Sequence, residues 1–273
     1  MTALRNKALL LCSLMMLACF AQCVRAAAED PPSVLITGSN RGIGLEFVRQ
    51  YAKLGWRVIA TCRSPANANE LNALAAKYDG VTVESLDVTD HRAINNLAQK
   101  YRGVPIDVLL NNAGMLGDPE KQNHFGQLDY AVMEQVYRTN TLGPLKMAEA
   151  FLENVAASEQ KKIVAITSGT ASLASVMPRE DMSFFTSLYA YRQSKVALNM
   201  AMRVLAVDTR NKDILVGILA PGVVETRLLQ QAGYGGRGID PARSVSAVIR
   251  NIENLTPETA GRYTLYTGET VPW

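Results

Sequence analysis

Beyond its first 28 residues this 273-residue chain is nearly devoid of cysteine. Cys62 stands alone there, because Cys12, Cys19 and Cys23 all precede residue 28. One thiol cannot close an internal disulfide framework. Histidine is equally scarce: His91 and His124 are the only two, which argues against a histidine-based metal cluster. Acidic residues are missing from residues 1–28, which carry Arg5, Lys7 and Arg25. The net charge of +3 therefore belongs to this leader, and the remainder balances 25 basic against 25 acidic residues. A neutral body offers no basic stripe for nucleic acid. An apolar content of 48% excludes a disordered chain.

The leader has a grammar of its own. An apolar run from Ala8 to Val24, broken only by Ser13 and Gln22, follows Arg5 and Lys7. Ala26-Ala27-Ala28 and then Glu29-Asp30-Pro31-Pro32 succeed it. A basic start, an apolar centre and a small-residue cleavage site make a secretory signal. An uncleaved membrane anchor is the weaker alternative, since a spanning helix needs about 20 apolar residues. A start codon placed too early is the other. No twin arginine marks export of a folded protein.

From residue 33 to 273, short β-rich runs alternate with stretches at helical spacing. The expected strands are Val34–Thr37, Arg57–Thr61, Val81–Leu86, Ile106–Leu110, Lys162–Thr167, Ile214–Leu219 and Arg262–Tyr266. The inner runs are continuously apolar, as strands covered on both faces must be. Apolar positions such as Leu45, Val48, Ala52 and Leu54 recur with helical period between them. The alternation predicts one α/β domain with a doubly wound, mostly parallel, seven-stranded Rossmann-type sheet and helices on both faces.

Chemistry concentrates at the ends of these strands. Gly38-Ser39-Asn40-Arg41-Gly42-Ile43-Gly44 joins the first strand to the first helix, where glycines let the backbone approach a pyrophosphate at a helix N-terminus. At the end of the second strand, about 20 residues on, NAD enzymes carry an acid for the ribose. Arg63 stands there instead, with Arg41 as a second cation, a pairing that suits the extra phosphate of NADP(H). Asp87-Val88 ends the third strand and Asn111-Asn112-Ala113-Gly114 the fourth. Both are turn-forming, yet at these strand ends they face the ligand crevice, and Asp87 is placed to hold an adenine amino group. Tyr191 and Lys195 share one helix face, four residues apart. A free phenol titrates near ~10, and a neighbouring ammonium is expected to lower it. Ser168 ends the fifth strand, Asn140 precedes the helix-breaking Gly143-Pro144, and Pro221-Gly222-Val223-Val224-Glu225-Thr226 follows the sixth.

In this order the motifs resemble the short-chain dehydrogenase/reductase family over about nine-tenths of the chain. Tyr189–Asn199 and the closing Tyr266–Trp273 resemble its C-factor/sniffer branch of NADPH-dependent carbonyl reductases. The resemblance implies that Tyr191 protonates a carbonyl oxygen as hydride arrives. It implies that Lys195 lowers the phenol and holds the nicotinamide ribose, and that Ser168 steadies the oxygen. Asn140 would hold a proton-relaying water through its backbone. Pro221, Gly222, Val224 and Thr226 would border the carboxamide, and Asn112, Ala113 and Gly114 the cleft. A carbonyl substrate, NADP(H), no metal and a homodimer or homotetramer through 128–151 and 191–209 follow by the same likeness. Two segments depart from the pattern. Residues 169–190 form a long stretch before Tyr191, with Met177–Phe185 expected at the pocket rim, and Leu228, Leu229, Gly233–Gly236 and Arg237 are expected to form a lid.

Overall fold

In the computed structural model, residues 30–119, 125–176 and 188–273 are described. Seven strands run in the order β3-β2-β1-β4-β5-β6-β7. They are β1 (Ser33–Ile36), β2 (Arg57–Cys62), β3 (Val81–Ser85), β4 (Val108–Asn111), β5 (Lys162–Ile166), β6 (Leu215–Ala220) and β7 (Tyr263–Leu265). Each neighbouring pair is parallel. The sheet is thus fully parallel, and the expected strands differ from the observed ones only by a residue or two at their ends.

Parallel strands need crossover connections, and helices supply them. These are α1 (Gly42–Lys53), α2 (Asn69–Lys77), α3 (His91–Lys100), α4 (Tyr130–Tyr137), α5 (Gly143–Ala150), α6 (Leu152–Ala156), α7 (Tyr189–Asp208), α8 (Arg227–Gln231) and α9 (Pro241–Glu253). Alternating strand residues feed two cores, as the period of two demands. Val34, Ile36, Val108, Leu110 and Val164 pack with Phe47 and Tyr51 of α1 and Val248 and Ile252 of α9. Leu35, Leu109, Ile163 and Ala165 pack on the other face with Ile94, Met147, Leu198 and Met202 of α3, α5 and α7. At ~25 cal/mol per Å² of apolar surface, these two layers supply most of the drive to fold.

The order reverses between β1 and β4, so their following loops diverge and leave a crevice at the strand C-termini. Below it, Asp107 ties the two strands by accepting from the Ser33 backbone N–H at 2.8 Å and the Ser33 hydroxyl at 3.0 Å.

Candidate active site

The crevice floor is built by mutual bracing. Thr37 Oγ1 accepts hydrogen bonds from the backbone N–H groups of Asn112 and Ala113, both at 3.0 Å. Asn112 Nδ2 donates to the carbonyls of Thr37 (2.8 Å) and Gly38 (3.1 Å). Gly38 has φ +69°, and a Cβ there would come within 2.8 Å of Ala113 Cα, so only glycine lets the two loops meet. Ser39 turns inward, its hydroxyl donating to Ile36 O at 2.8 Å, and it does not reach the crevice wall.

Above the floor lies a cavity of about 790 Å³. Its nucleotide-sized end is lined by Gly38, Asn40, Arg41, Gly42, Ile43, Gly44, Arg63, Asp87, Val88, Asn112, Ala113 and Gly114. Arg41 and Arg63 are both exposed on this wall, and α1 begins there with no acid in its first turn. Such a helix start favours negative charge. Asp87 accepts from both the backbone and the hydroxyl of Thr89, at 2.9 and 2.7 Å, which fixes its carboxylate at the rim.

The other end gathers the remaining expected residues. Tyr191 and Lys195 lie one turn apart on α7, and Lys195 Nζ donates to Ile166 O, the last residue of β5, at 2.8 Å. The same nitrogen is 5.9 Å from the Tyr191 ring centre. Ser168, two residues past β5, hydrogen-bonds Tyr191 and shares its hydroxyl with Thr170 Oγ1 at 2.9 Å. Burial dominates the electrostatics. It pushes the Tyr191 phenol above its ordinary value, against a lowering by the Ser168 hydrogen bond. It pulls the Lys195 ammonium down to about 8. The expected depression of the phenol by Lys195 is therefore not what governs this site; desolvation disfavours both charged forms at once.

Asn140 sits away from the cavity wall, fully buried in a π-turn over Arg138–Leu142. The extra residue of that turn is the break expected at Gly143-Pro144. Asn140 Oδ1 accepts from Met115 N–H at 2.8 Å, while Nδ2 donates to Met115 O at 2.8 Å and Ser194 Oγ at 3.0 Å. It thereby ties the loop after β4 to α7. A Cβ on Gly114 would lie 3.4 Å from Asn140 Oδ1 and 3.5 Å from Lys195 Nζ, so the three converge.

Tyr191, Leu116 and Leu188 form a small apolar cluster, on which Leu228 and Ala232 pack. Leu188 adopts φ 70°, a strained conformation for a non-glycine residue, immediately before α7. Pro221, Gly222, Val224 and Thr226 reach the same cavity. The Thr226 hydroxyl caps α8 by accepting from Leu229 N–H at 3.4 Å. Glu225 N–H to Ile239 O (2.9 Å) and Ile239 N–H to Val223 O (2.7 Å) close the base of the 226–239 loop. Wall residues absent from the sequence reading include Thr89, Met115, Leu116, Gln135, Arg138 and Thr170. They belong to no phosphate or proton motif; only the topology brings them here. The expected rim segment Met177–Phe185 lies outside the described residues.

Comparisons with known proteins agree with this architecture. A family profile for short chain dehydrogenases matches residues 32–234. The 1-hydroxy-2-glutathionyl-2-methyl-3-butene dehydrogenase of Rhodococcus sp. (strain AD45) is 32% identical, covering 88% of this chain and 99% of that protein. The C-signal of Myxococcus xanthus is 36% identical, covering 62% of this chain and 93% of its own. Among solved structures, NADPH-bound carbonyl reductase from chicken fatty liver superposes with TM-score 0.78 at 30% identity, covering 89% of this chain and 99% of that one. The carbonyl reductase Sniffer of D. melanogaster does so with TM-score 0.76 at 26% identity, covering 89% and 100%. With its parallel sheet, braced glycine loop and Tyr–Lys helix, the chain belongs to the short-chain dehydrogenase/reductase family and is similar to the carbonyl reductases of the sniffer type.

Proposed function

We propose that the protein is an NADP(H)-dependent oxidoreductase that reduces the carbonyl group of a small aldehyde, ketone or quinone. One observation carries the reading: a single cavity holds two arginines and an open helix start at one end, and at the other a Tyr–Ser–Lys constellation in which Tyr191 and Lys195 are buried. The cavity also falls in the ~300–1,000 Å³ range of ligand sites. The residues present fit the dinucleotide. Asn112 Oδ1 is a buried acceptor on the wall with no hydrogen-bond partner among the described residues. Arg41 and Arg63 would hold the 2′-phosphate, the start of α1 the pyrophosphate, and Asp87 and Val88 the adenine. Val224 and Thr226 would hold the carboxamide. The bound dinucleotide supplies the hydride.

Tyr191 gives its proton to the carbonyl oxygen. Burial keeps the phenol protonated at rest, and the Ser168 hydrogen bond opposes that burial by favouring the phenolate that proton transfer leaves. Ser168 donates to the same oxygen and steadies the charge that develops on it. Lys195, whose burial lowers it to about 8 and so eases release of its proton, holds the ribose and passes a proton toward the phenol. Asn140 fixes the backbone turn behind Lys195. A non-catalytic sensor on the same fold, the class to which the name of the C-signal points, has no use for this proton donor. An alcohol dehydrogenase working oxidatively would use the same residues in reverse.

The test is NADPH consumption by purified protein over a panel of aldehydes, ketones and quinones. Wild type should turn over, and Tyr191→Phe should lose about a hundredfold or more in kcat, the scale of general acid catalysis. Equal inertness of the two proteins would favour the sensor, and faster NADP⁺ reduction with alcohols the oxidative direction.

We read residues 1–28 as a leader outside the catalytic domain. Exposed Tyr130, Tyr137, Leu145, Met200, Val204 and Val207 on α4, α5 and α7 support pairing of two copies through those helices.

A further inference from the structure

The closing run Tyr266–Trp273 has no role in the site as described so far. Its path gives it one. After β7 the chain doubles back, with Leu265 N–H donating to Glu269 O and Val271 N–H to Tyr263 O, both at 2.8 Å. Pro272 and Trp273 are thereby laid against the loop that follows Ser168. Ser172 Oγ donates to Pro272 O at 2.6 Å, and Ala174 N–H donates to Trp273 O at 2.9 Å. The Trp273 ring packs 5.5 Å from the Tyr263 ring. Arg203 of α7 covers the indole at 5.9 Å and donates to Gly261 O at 2.7 Å. Tyr263 is almost wholly buried, and its hydroxyl donates to the carbonyl of Ser168 itself.

The loop is also held from α7. Arg192, adjacent to Tyr191, donates to Ser175 Oγ at 3.2 Å, and that hydroxyl donates to Ser172 O at 2.7 Å. The Ser168 hydroxyl has competing partners within its own loop, since Thr170 N–H donates to it at 3.2 Å. Which way it aims therefore depends on where its backbone is held. We infer that Tyr263 and the Pro272–Trp273 tail are positioning residues, which fix the Ser168 backbone so that its hydroxyl faces Tyr191. The inference rests on the reading of Ser168 as a participant in turnover. Displacement of a reacting group by about 1 Å can cost about a hundredfold.

The experiment uses the full chain with NADPH and the best carbonyl of the panel, and compares Tyr263→Phe, Trp273→Ala, Trp273→Phe, Ser168→Ala and the Ser168→Ala/Tyr263→Phe double variant. Turnover is normalised to NADPH-binding sites measured by fluorescence titration, so that loss of folded protein does not count. Tyr263→Phe and Trp273→Ala should each lower kcat by roughly ten- to a hundredfold. NADPH affinity should stay within about twofold of wild type, and Trp273→Phe, which keeps a ring on Tyr263, should recover most of the loss. Because Tyr263 acts through Ser168, the double variant should be no slower than Ser168→Ala alone. Unchanged turnover per site in Tyr263→Phe beside an impaired Ser168→Ala overturns the inference, as do additive losses in the double variant. An unimpaired Ser168→Ala overturns the reading of Ser168, and the positioning role with it.

Discussion

Arg63 is exposed at the end of β2, where its charge adds little to folding. Its value lies in what it meets across the cavity. A hydrogen bond to a charged group contributes about 1.5–3 kcal/mol, roughly ten- to a hundredfold in affinity. Arg63→Ala should raise the KM for NADPH by about that factor and leave the KM for NADH nearly unchanged. Steady-state kinetics with both cofactors measure it, and an equal effect on both would remove Arg63 from the 2′-phosphate site. The two arginines were legible in the sequence because their spacing from the glycine loop is local. The dryness around Tyr191 was not. Spacing alone puts an ammonium beside a phenol and implies a lowered pKa. The apolar wall that reverses this comes from Leu116, Leu188 and Leu228, three separate stretches of chain.

Between α4 and α5 the π-turn decides where two helices lie. Gly143, at its end, has no room for a side chain: a Cβ would sit 2.9 Å from Val88 O and 3.1 Å from Val88 Cβ. Gly143→Ala must therefore move α5 or the loop that follows β3. Overpacking of this kind costs about 1–3 kcal/mol. In a domain of this size that lowers Tm by roughly 2–4 °C per kcal/mol. Since Val88 also borders the cavity, the variant should gain less than wild type in Tm from added NADPH. Thermal melts with and without the cofactor test both parts, and an unchanged Tm would show that the contact is relieved at no expense. The helix break was readable from Gly143-Pro144. Its form was not, because Asn140 is held by Met115 and Ser194, 25 and 54 residues away. The strands were readable almost to the residue, since the inner ones are near-continuous apolar runs bounded by turn formers and β3 alternates Val81 and Val83 with polar residues. The tail at Pro272–Trp273 left only a family likeness in the sequence; its contact with the Ser168 loop is made across the sheet edge.

At the scale of the whole chain, residues 1–28 and the catalytic domain make opposite demands. The leader has the pattern of export, whereas the cofactor of the proposed reaction is held in the cytoplasm or in an organelle lumen. Intact mass of the native protein, measured with the cell fraction that contains it, is expected to show an N-terminus just after Ala26–Ala28. A native chain that retains residue 1 would refute cleavage. The order of the sheet bears on the same question. β1 emerges early and finds β2 close by in sequence, but its other neighbour, β4, pairs with it through Val34–Val108, Leu35–Leu109 and Ile36–Leu110 only after the intervening chain has emerged, and β5 to β7 follow later still. Such distant pairings close slowly, because chain entropy is lost before contacts form. The nascent polypeptide consequently spends its first moments as an open thread with bare apolar strands. Should residues 1–28 direct export, a thread in that condition is the form that a narrow protein-conducting channel would require.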